Sequence, residues 1–326
     1  TNRNRNKITQ EEAAILDSKK VGVIGLSVGQ SVSLTMAMER SFNEIRIADF
    51  DRLELTNLNR IRTGIHNLGL LKCTVVAREI AEIDPFLQVT CYPEGISENN
   101  IEEFLTKGGK LDAVVDECDG LDIKILCRVK SKELGIPVLM EASDRGTIDV
   151  ERFDLEPDRP LLHGFIEHLD INKVKGLKTN EEKIPYLMPI AGMETLSPRM
   201  KASMLEIGET LTTWPQLAAA VTYGGGITAD TYRRMMLGQF TKSGRYFVDL
   251  DEIIPEHQIE NGVSSNPYKE VTWPEPLSIE NMDSLIAKVK KVKKADDFFS
   301  AEEARSLVEA ASLAPSGGNC QPWKWR

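Results

Sequence analysis

The sequence predicts an α/β protein built on a doubly wound, mostly parallel sheet with helices on both faces. Three observations carry this expectation. KVGVIGL at 20–26 is a nearly continuous apolar run, the pattern of a strand covered on both sides of a parallel sheet. It passes through Gly25, Gly29 and small residues into the helical stretch VSLTMAMER, so strand, glycine turn and helix follow in order, the unit whose helix N-terminus offers free N–H groups to a phosphate. Strand and helix patterns then keep alternating as far as about residue 150.

The opening, TNRNRNKITQEEAAIL, is polar and basic up to Thr9, where Thr9 and Glu12 form a capping box for a first helix and Arg3 and Arg5 read as a frayed terminus. The strand Ile45 to Ala48 ends in Asp49, and Asp51, Glu54, Asn57 and Arg60 follow within eleven residues, a polar cluster straight after a buried strand. LGLLKCTVVAREIAEIDP reads as a helix from about Leu68 to Ile83. Lys72 falls in its first turn, where the helix dipole mildly disfavours a cation, so it is either a surface lysine or a clamp on a bound anion. FLQVTCYPE alternates as a strand, SENNIEEFLTK reads as a helix started by an N-cap serine, and LDAVVDEC is a buried strand that delivers Asp116 and Asp119 at its carboxyl end. Asp119 suits a magnesium ion bridging phosphates, an N-cap for the next helix LDIKILCRVKSKELG, or both. IPVLMEAS and GTIDVERF make a fifth and an alternating sixth strand.

Beyond these, HGFIEHLDINKVKGLKTNEEKIPY is polar and irregular, a mobile crossover loop over the site. His163 and His168 have no cysteine nearby and do not make a metal site. RMKASMLEIGETL and WPQLAAAVTYGGGITADTYRRMMLG read as two apolar helices, the second broken at Gly224 to Gly226, and SGRYFVDLDEII closes with a strand. Residues 255–278, with four prolines up to Pro276, fit a linker. Five lysines in 288–294 read as a solvated helix face.

Composition narrows the function classes. At 326 residues and 41% hydrophobic the chain can bury a core for one large domain or two. Fifty acidic against forty basic side chains give a net charge of -10, which disfavours broad nucleic-acid or membrane-surface binding. Cys73, Cys91, Cys118, Cys127 and Cys320 form no CxxC pair and read as the reduced thiols of a cytoplasmic protein without a zinc framework. No apolar run reaches the roughly 18 residues of a membrane span. Thr1 rather than Met at the start suggests a chain cut from something longer.

The residues favour a nucleotide. Asp49 stands about 20 residues past the glycine turn, where doubly wound folds put an acid on ribose hydroxyls. A GxGxxG dinucleotide fingerprint would put its second and third glycines where Ser27 and Gln30 stand, which weakens an NAD reading. Asn57 and Arg60 suit a triphosphate, since a planar guanidinium fits phosphate oxygens. An NAD-dependent oxidoreductase and a catalytically degenerate nucleotide-binding or dimerisation module remain open alternatives.

The order G-L-x-x-G, ADFDRLELTNLNR, LGLLKCTVVAREIAEIDPFLQVTCYPEGI and VVDECDG resembles the E1-like adenylating family that includes ThiF, MoeB and HesA. The resemblance implies a Rossmann-like domain over 1–254 that uses ATP and Mg2+ to adenylate a carboxylate. Carried over residue by residue, it puts ribose on Asp49, phosphates on Asn57, Arg60 and Lys72, and the metal on Asp119, with Gly25, Ser27, Gly29 and Asp51 completing the nucleotide site. It also implies a homodimer, with Arg5 reaching the partner's site, and a substrate such as a ubiquitin-like protein tail, a peptide or a modified nucleoside. The chain departs from the family pattern in reading Gly25, Leu26, Ser27, Val28, Gly29, Gln30 where relatives show G-x-G-G-x-G, and Asp119-Gly120 where they show Asp-Asn. No cysteine lies between residues 128 and 319, so the expected reaction stops at the adenylate or passes it to a nucleophile from elsewhere. Finally, APSGGNCQPWKW resembles the start of the nitroreductase family, which implies FMN contacts at Ser316 and Asn319 and makes 279–326 the truncated beginning of a fused flavin reductase domain.

Overall fold

A computed structural model describes residues 4–254 apart from 178, 208–209 and 212–213. The expected linker at 255–278, the nitroreductase-like segment at 279–326, Ser316, Asn319 and Arg3 lie outside the described residues.

The α/β expectation is met by a seven-stranded sheet of order β3-β2-β1-β4-β5-β6-β7. Strands β1 (Lys20–Ile24), β2 (Glu44–Ala48), β3 (Gln88–Tyr92), β4 (Ala113–Asp116) and β5 (Val138–Ala142) run parallel. Strands β6 (Thr147–Glu151) and β7 (Gly244–Phe247) extend the β5 edge antiparallel. β1 pairs with β2 on one side and β4 on the other, so the chain reverses direction across the sheet at β1. Open α/β sheets bind ligands in the crevice that this reversal leaves at the strands' carboxyl ends.

Helices cover both faces. On one, α2 (Gly29–Glu39), α3 (Lys72–Ile83) and α8 (Ala218–Met236) enclose Val21, Val23, Ile45, Ile47, Val32 and Met36. On the other, α4 (Ile101–Thr106) and α5 (Leu121–Glu133) cover Ile24, Phe104, Leu105, Val114 and Cys127. Each fully buried aliphatic side chain of this kind contributes about 1.5–3 kcal/mol. The apolar runs at 20–24 and 113–116 follow from burial on both faces. The expected capping box is present: Thr9 Oγ1 accepts from Glu12 N and Thr9 N donates to the Glu12 carboxylate, opening helix α1 (Gln10–Leu16).

Several expectations need correction. Residues 68–71 are not helical; Leu53 N donates to Leu70 O and a bridge joins Arg52 to Leu71, so the third helix starts only at Lys72. Asn100 rather than Ser97 occupies the N-cap position of helix α4, without a side-chain cap, its Oδ1 accepting from the Ser97 N–H and hydroxyl instead. Gly120, not Asp119, is the N-cap of α5. β6 does not alternate, because its residues are buried on both sides. The irregular loop contains two 3-10 turns, Leu161–Gly164 and Ile171–Gly176, and the start of helix α6 (Asn180–Ala191), which packs Tyr186 and Ile190 with Leu121 and Ile125.

Helix α7 (Pro198–Glu206) precedes α8, which begins at Ala218 rather than Trp214 and is unbroken through Gly224 to Gly226. Two of those glycines serve close approach instead. A Cβ on Gly224 would lie 2.2 Å from Glu141 Oε1, and one on Gly225 would lie 2.3 Å from Ser31 Oγ. The last strand is short, and Leu250–Ile253 turns into helix α9.

Candidate functional site

The site forms where β1, β2 and β4 end. Gly25 takes φ +87°, and a Cβ there would sit 2.5 Å from the Glu117 carbonyl oxygen, so the turn out of β1 requires glycine. Gly29 opens α2, and a Cβ there would lie 2.7 Å from Val23 Cγ1. Asp49, at the end of β2, reaches across to this turn: Oδ2 accepts from Leu26 N at 2.7 Å and Oδ1 from Asp51 N at 2.8 Å. Each oxygen keeps a second lone pair for a ligand hydroxyl.

One cation, Lys72, stands beside this acid, and a second, Arg60, reaches the same glycine turn. Lys72 is buried rather than a surface lysine; its Nζ lies 2.7 Å from Asp51 Oδ2 and 3.8 Å from Asp49 Oδ2. Burial raises the Asp49 carboxyl above its ordinary range and Lys72 opposes that rise. Arg60 Nε donates to Ser27 Oγ at 2.9 Å, which brings the arginine onto the glycine turn, and Nη1 donates to Asn59 Oδ1 at 2.9 Å. Burial lowers the Arg60 pKa and the charge of Asp119 counters it, so Asp119 lies within electrostatic reach of this guanidinium. Asn57 is buried, with Oδ1 accepting from Glu54 N at 3.0 Å, which closes the loop carrying Arg60.

The two aspartates at the end of β4 part company. Asp116 is fully buried and salt-bridged by Lys124 at 3.1 Å and by Arg128, which also holds Glu151 at 2.5 Å. Burial alone would raise its pKa, but the two cations outweigh burial and hold the carboxyl well below the carboxylate range. Asp116 therefore belongs to the interior, whereas Asp119 is exposed. Among the described residues no group of three or more His, Cys, Asp or Glu could hold a metal ion. A single exposed carboxylate suits Mg2+ only when ligand phosphates supply the rest of the shell. His163 Nε2 lies 3.2 Å from Asp149 Oδ1.

Three features escaped the sequence reading. The Gln30 side chain is buried and holds the backbone of Arg62. Ser27, read as a lost glycine, anchors Arg60. Glu117 and Glu141 sit side by side where β4 and β5 end, Glu117 Oε1 accepting from Glu141 N at 3.0 Å. The signal for the last was the placement of each glutamate at its strand's carboxyl end, but only the register of the two strands makes them neighbours.

The sequence pattern of the ThiF family matches residues 1–239. This chain belongs to the ThiF family. A Mycobacterium tuberculosis protein, MT1398, is 40% identical over 98% of this ThiF-family chain and 42% of its own length. The adenylyltransferase and sulfurtransferase UBA4 of Lodderomyces elongisporus is 31% identical over 34% of the chain and 24% of its own length. The chain thus spans less than half the length of these relatives. A solved structure of E. coli tRNA N6-threonylcarbamoyladenosine dehydratase, TcdA, in complex with AMP, covers 73% of this chain and 94% of its own with a TM-score of 0.51 at 16% identity, a likeness of fold. Among the described residues no helix is long and apolar enough to cross a membrane.

Proposed function

We propose that this ThiF-family domain binds ATP at the β1, β2 and β4 ends and adenylates a carboxylate. The observation that carries the reading is that Asp49 and Arg60 both bond the turn out of β1, with Lys72 3.8 Å from Asp49 and Asp119 within electrostatic reach of Arg60. Asp49 takes the ribose hydroxyls, Arg60 and Lys72 offset phosphate charge, and Asp119 would hold Mg2+, which would neutralise charge on the departing pyrophosphate. A substrate carboxylate then attacks the α-phosphorus, the new P–O bond forms as the bond to pyrophosphate breaks, and no proton need move. Positioning and charge stabilisation make up the protein's share.

A thioester is not part of this reading. Cys73 and Cys127 are buried, with thiols pushed up to about 12 by burial. Cys118, beside the site, donates its thiol hydrogen to Asp116 Oδ1 at 2.9 Å, and burial followed by the Asp116 charge raises its pKa well above the ordinary thiol value. The adenylate is released or passed to a nucleophile from another protein or another part of a longer chain. Homodimerisation, an Arg5 contact with the partner's site, a ubiquitin-like or peptide carboxylate as substrate, and a link to a flavin reductase domain belong to the same proposal.

The test is ATP–pyrophosphate exchange in Mg2+ with candidate carboxylates, together with ATP titration. Binding should fall at least tenfold in Arg60→Ala and Asp119→Ala. Tight ATP binding unchanged by both substitutions would overturn the assignment, and a preference for NAD over ATP would favour the oxidoreductase. Val28 and Ser27 in the glycine turn favour a second reading, a nucleotide-binding module without turnover, which predicts ATP binding with no exchange.

A further inference from the structure

The glycine turn has lost a glycine at position 30, and the side chain placed there has a defined task. Gln30, only 1% exposed, uses both ends of its amide on one residue's backbone: Oε1 accepts from Arg62 N at 3.0 Å and Nε2 donates to Arg62 O at 3.2 Å. Nε2 also donates to Glu79 Oε2 at 2.7 Å, on the helix that Lys72 opens. Arg62 is two residues past Arg60, and Ile61 between them is buried. Ser27 Oγ meanwhile accepts from Arg60 Nε. The backbone of the arginine loop and the arginine head are therefore each tied to the turn out of β1, by residues that stand where glycines were expected.

We infer that Gln30 is a positioning residue for Arg60: its amide clamp on Arg62 holds the loop so that the guanidinium stays against the phosphate turn before a nucleotide arrives. The inference rests on the nucleotide reading of the site. Physically, a long side chain that must be immobilised on binding costs affinity, and a loop fixed beforehand removes part of that cost. Glu79 supports the clamp as an acceptor: burial raises its carboxyl pKa and the Gln30 hydrogen bond counters the rise. Gln30 touches no ligand; it acts through Arg60.

A double-mutant cycle on the full chain tests this, with ATP and adenosine as probes in equilibrium titrations. Gln30→Ala should weaken ATP about five- to tenfold and leave adenosine unchanged, because the loss lies in the phosphates. In an Arg60→Ala background the same substitution should cost less than twofold further. Gln30→Met, close in volume but without the amide, should match Gln30→Ala and serves in its place if the alanine variant does not fold. Equal losses for ATP and adenosine, additive losses in the double variant, or no loss in either Gln30 variant would overturn the inference while leaving the nucleotide site intact. Failure of the wild-type chain to bind ATP at millimolar concentration overturns the inference and the underlying reading together.

Discussion

Lys72 stands between two carboxylates of unequal exposure, Asp49 almost buried and Asp51 half exposed. Replacing it with methionine keeps the volume and leaves Asp49 without its nearby cation. Removing one partner of a buried pair strands the other charge, so urea unfolding of Lys72→Met should show a loss of roughly 3 kcal/mol, with the ATP affinity falling at least tenfold. Unchanged stability would mean that the lysine is a solvated side chain after all. Glu141 gives a prediction of the opposite kind. Neither of its carboxyl oxygens has a hydrogen-bond partner among the described residues, and burial pushes its pKa from 4.5 up to about 8. The fold therefore keeps a proton that the unfolded chain releases near 4.5, so this contribution is full below that pH and is lost as pH rises through about 8. Glu117 is raised too, by burial and by Glu141, and works in the same direction. Thermal melts of the wild type should drop from about pH 5 to about pH 8, and Glu141→Gln should flatten that slope. A slope unchanged in the variant would remove the pair as its source.

Within elements, what the sequence conceals is what lies on the other side of a backbone. Three consecutive glycines in α8 look like a break, since each costs about 1 kcal/mol against alanine in a helix interior. Two of them are instead required by Glu141 and Ser31, while Gly226 faces open space. The two kinds of glycine separate by sign. Gly226→Ala should stabilise by up to about 1 kcal/mol, raising Tm by roughly 2–4 °C, whereas Gly224→Ala should destabilise by about 1–3 kcal/mol as the Glu141 carboxyl is displaced. Differential scanning calorimetry of the two variants decides it, and a rise in both would return α8 to an ordinary helix with dispensable glycines. The same blindness explains the site. Asp49 and Arg60 were legible because spacing from the glycine turn and residue chemistry suffice to nominate them. Asp119 was singled out over Asp116 only through the family pattern; residue chemistry alone did not separate them, because the Lys124 and Arg128 that absorb the charge of Asp116 lie on a helix whose facing residues only packing reveals.

At the scale of the whole molecule the sheet was legible because a parallel sheet buried on both faces leaves apolar runs at β1, β2, β4 and β5 that polar surfaces cannot imitate. The segment from 161 to 191 was not, because its turns take their order from partners distant in sequence, such as Leu162 N donating to Glu151 Oε1 at 2.6 Å and Tyr186 packing on α5. A nucleotide should make this division of labour measurable. ATP at the β1, β2 and β4 ends would bind the assembled sheet and not the unfolded chain, since Asp49, Arg60 and Asp119 meet only after the strands have paired. At a hundredfold excess over its dissociation constant it should stabilise the fold by about 2.7 kcal/mol. For roughly 250 residues that amounts to a Tm rise of about 5–10 °C. Arg60→Ala should shrink the rise at the same ATP concentration without lowering the ligand-free Tm, because the Arg60 side chain is half-buried and bonded to one neighbouring hydroxyl and to groups of its own loop. A shift of equal size in the variant would show that ATP stabilises the chain from some other surface, and NAD producing the larger shift would reassign the site to a dinucleotide.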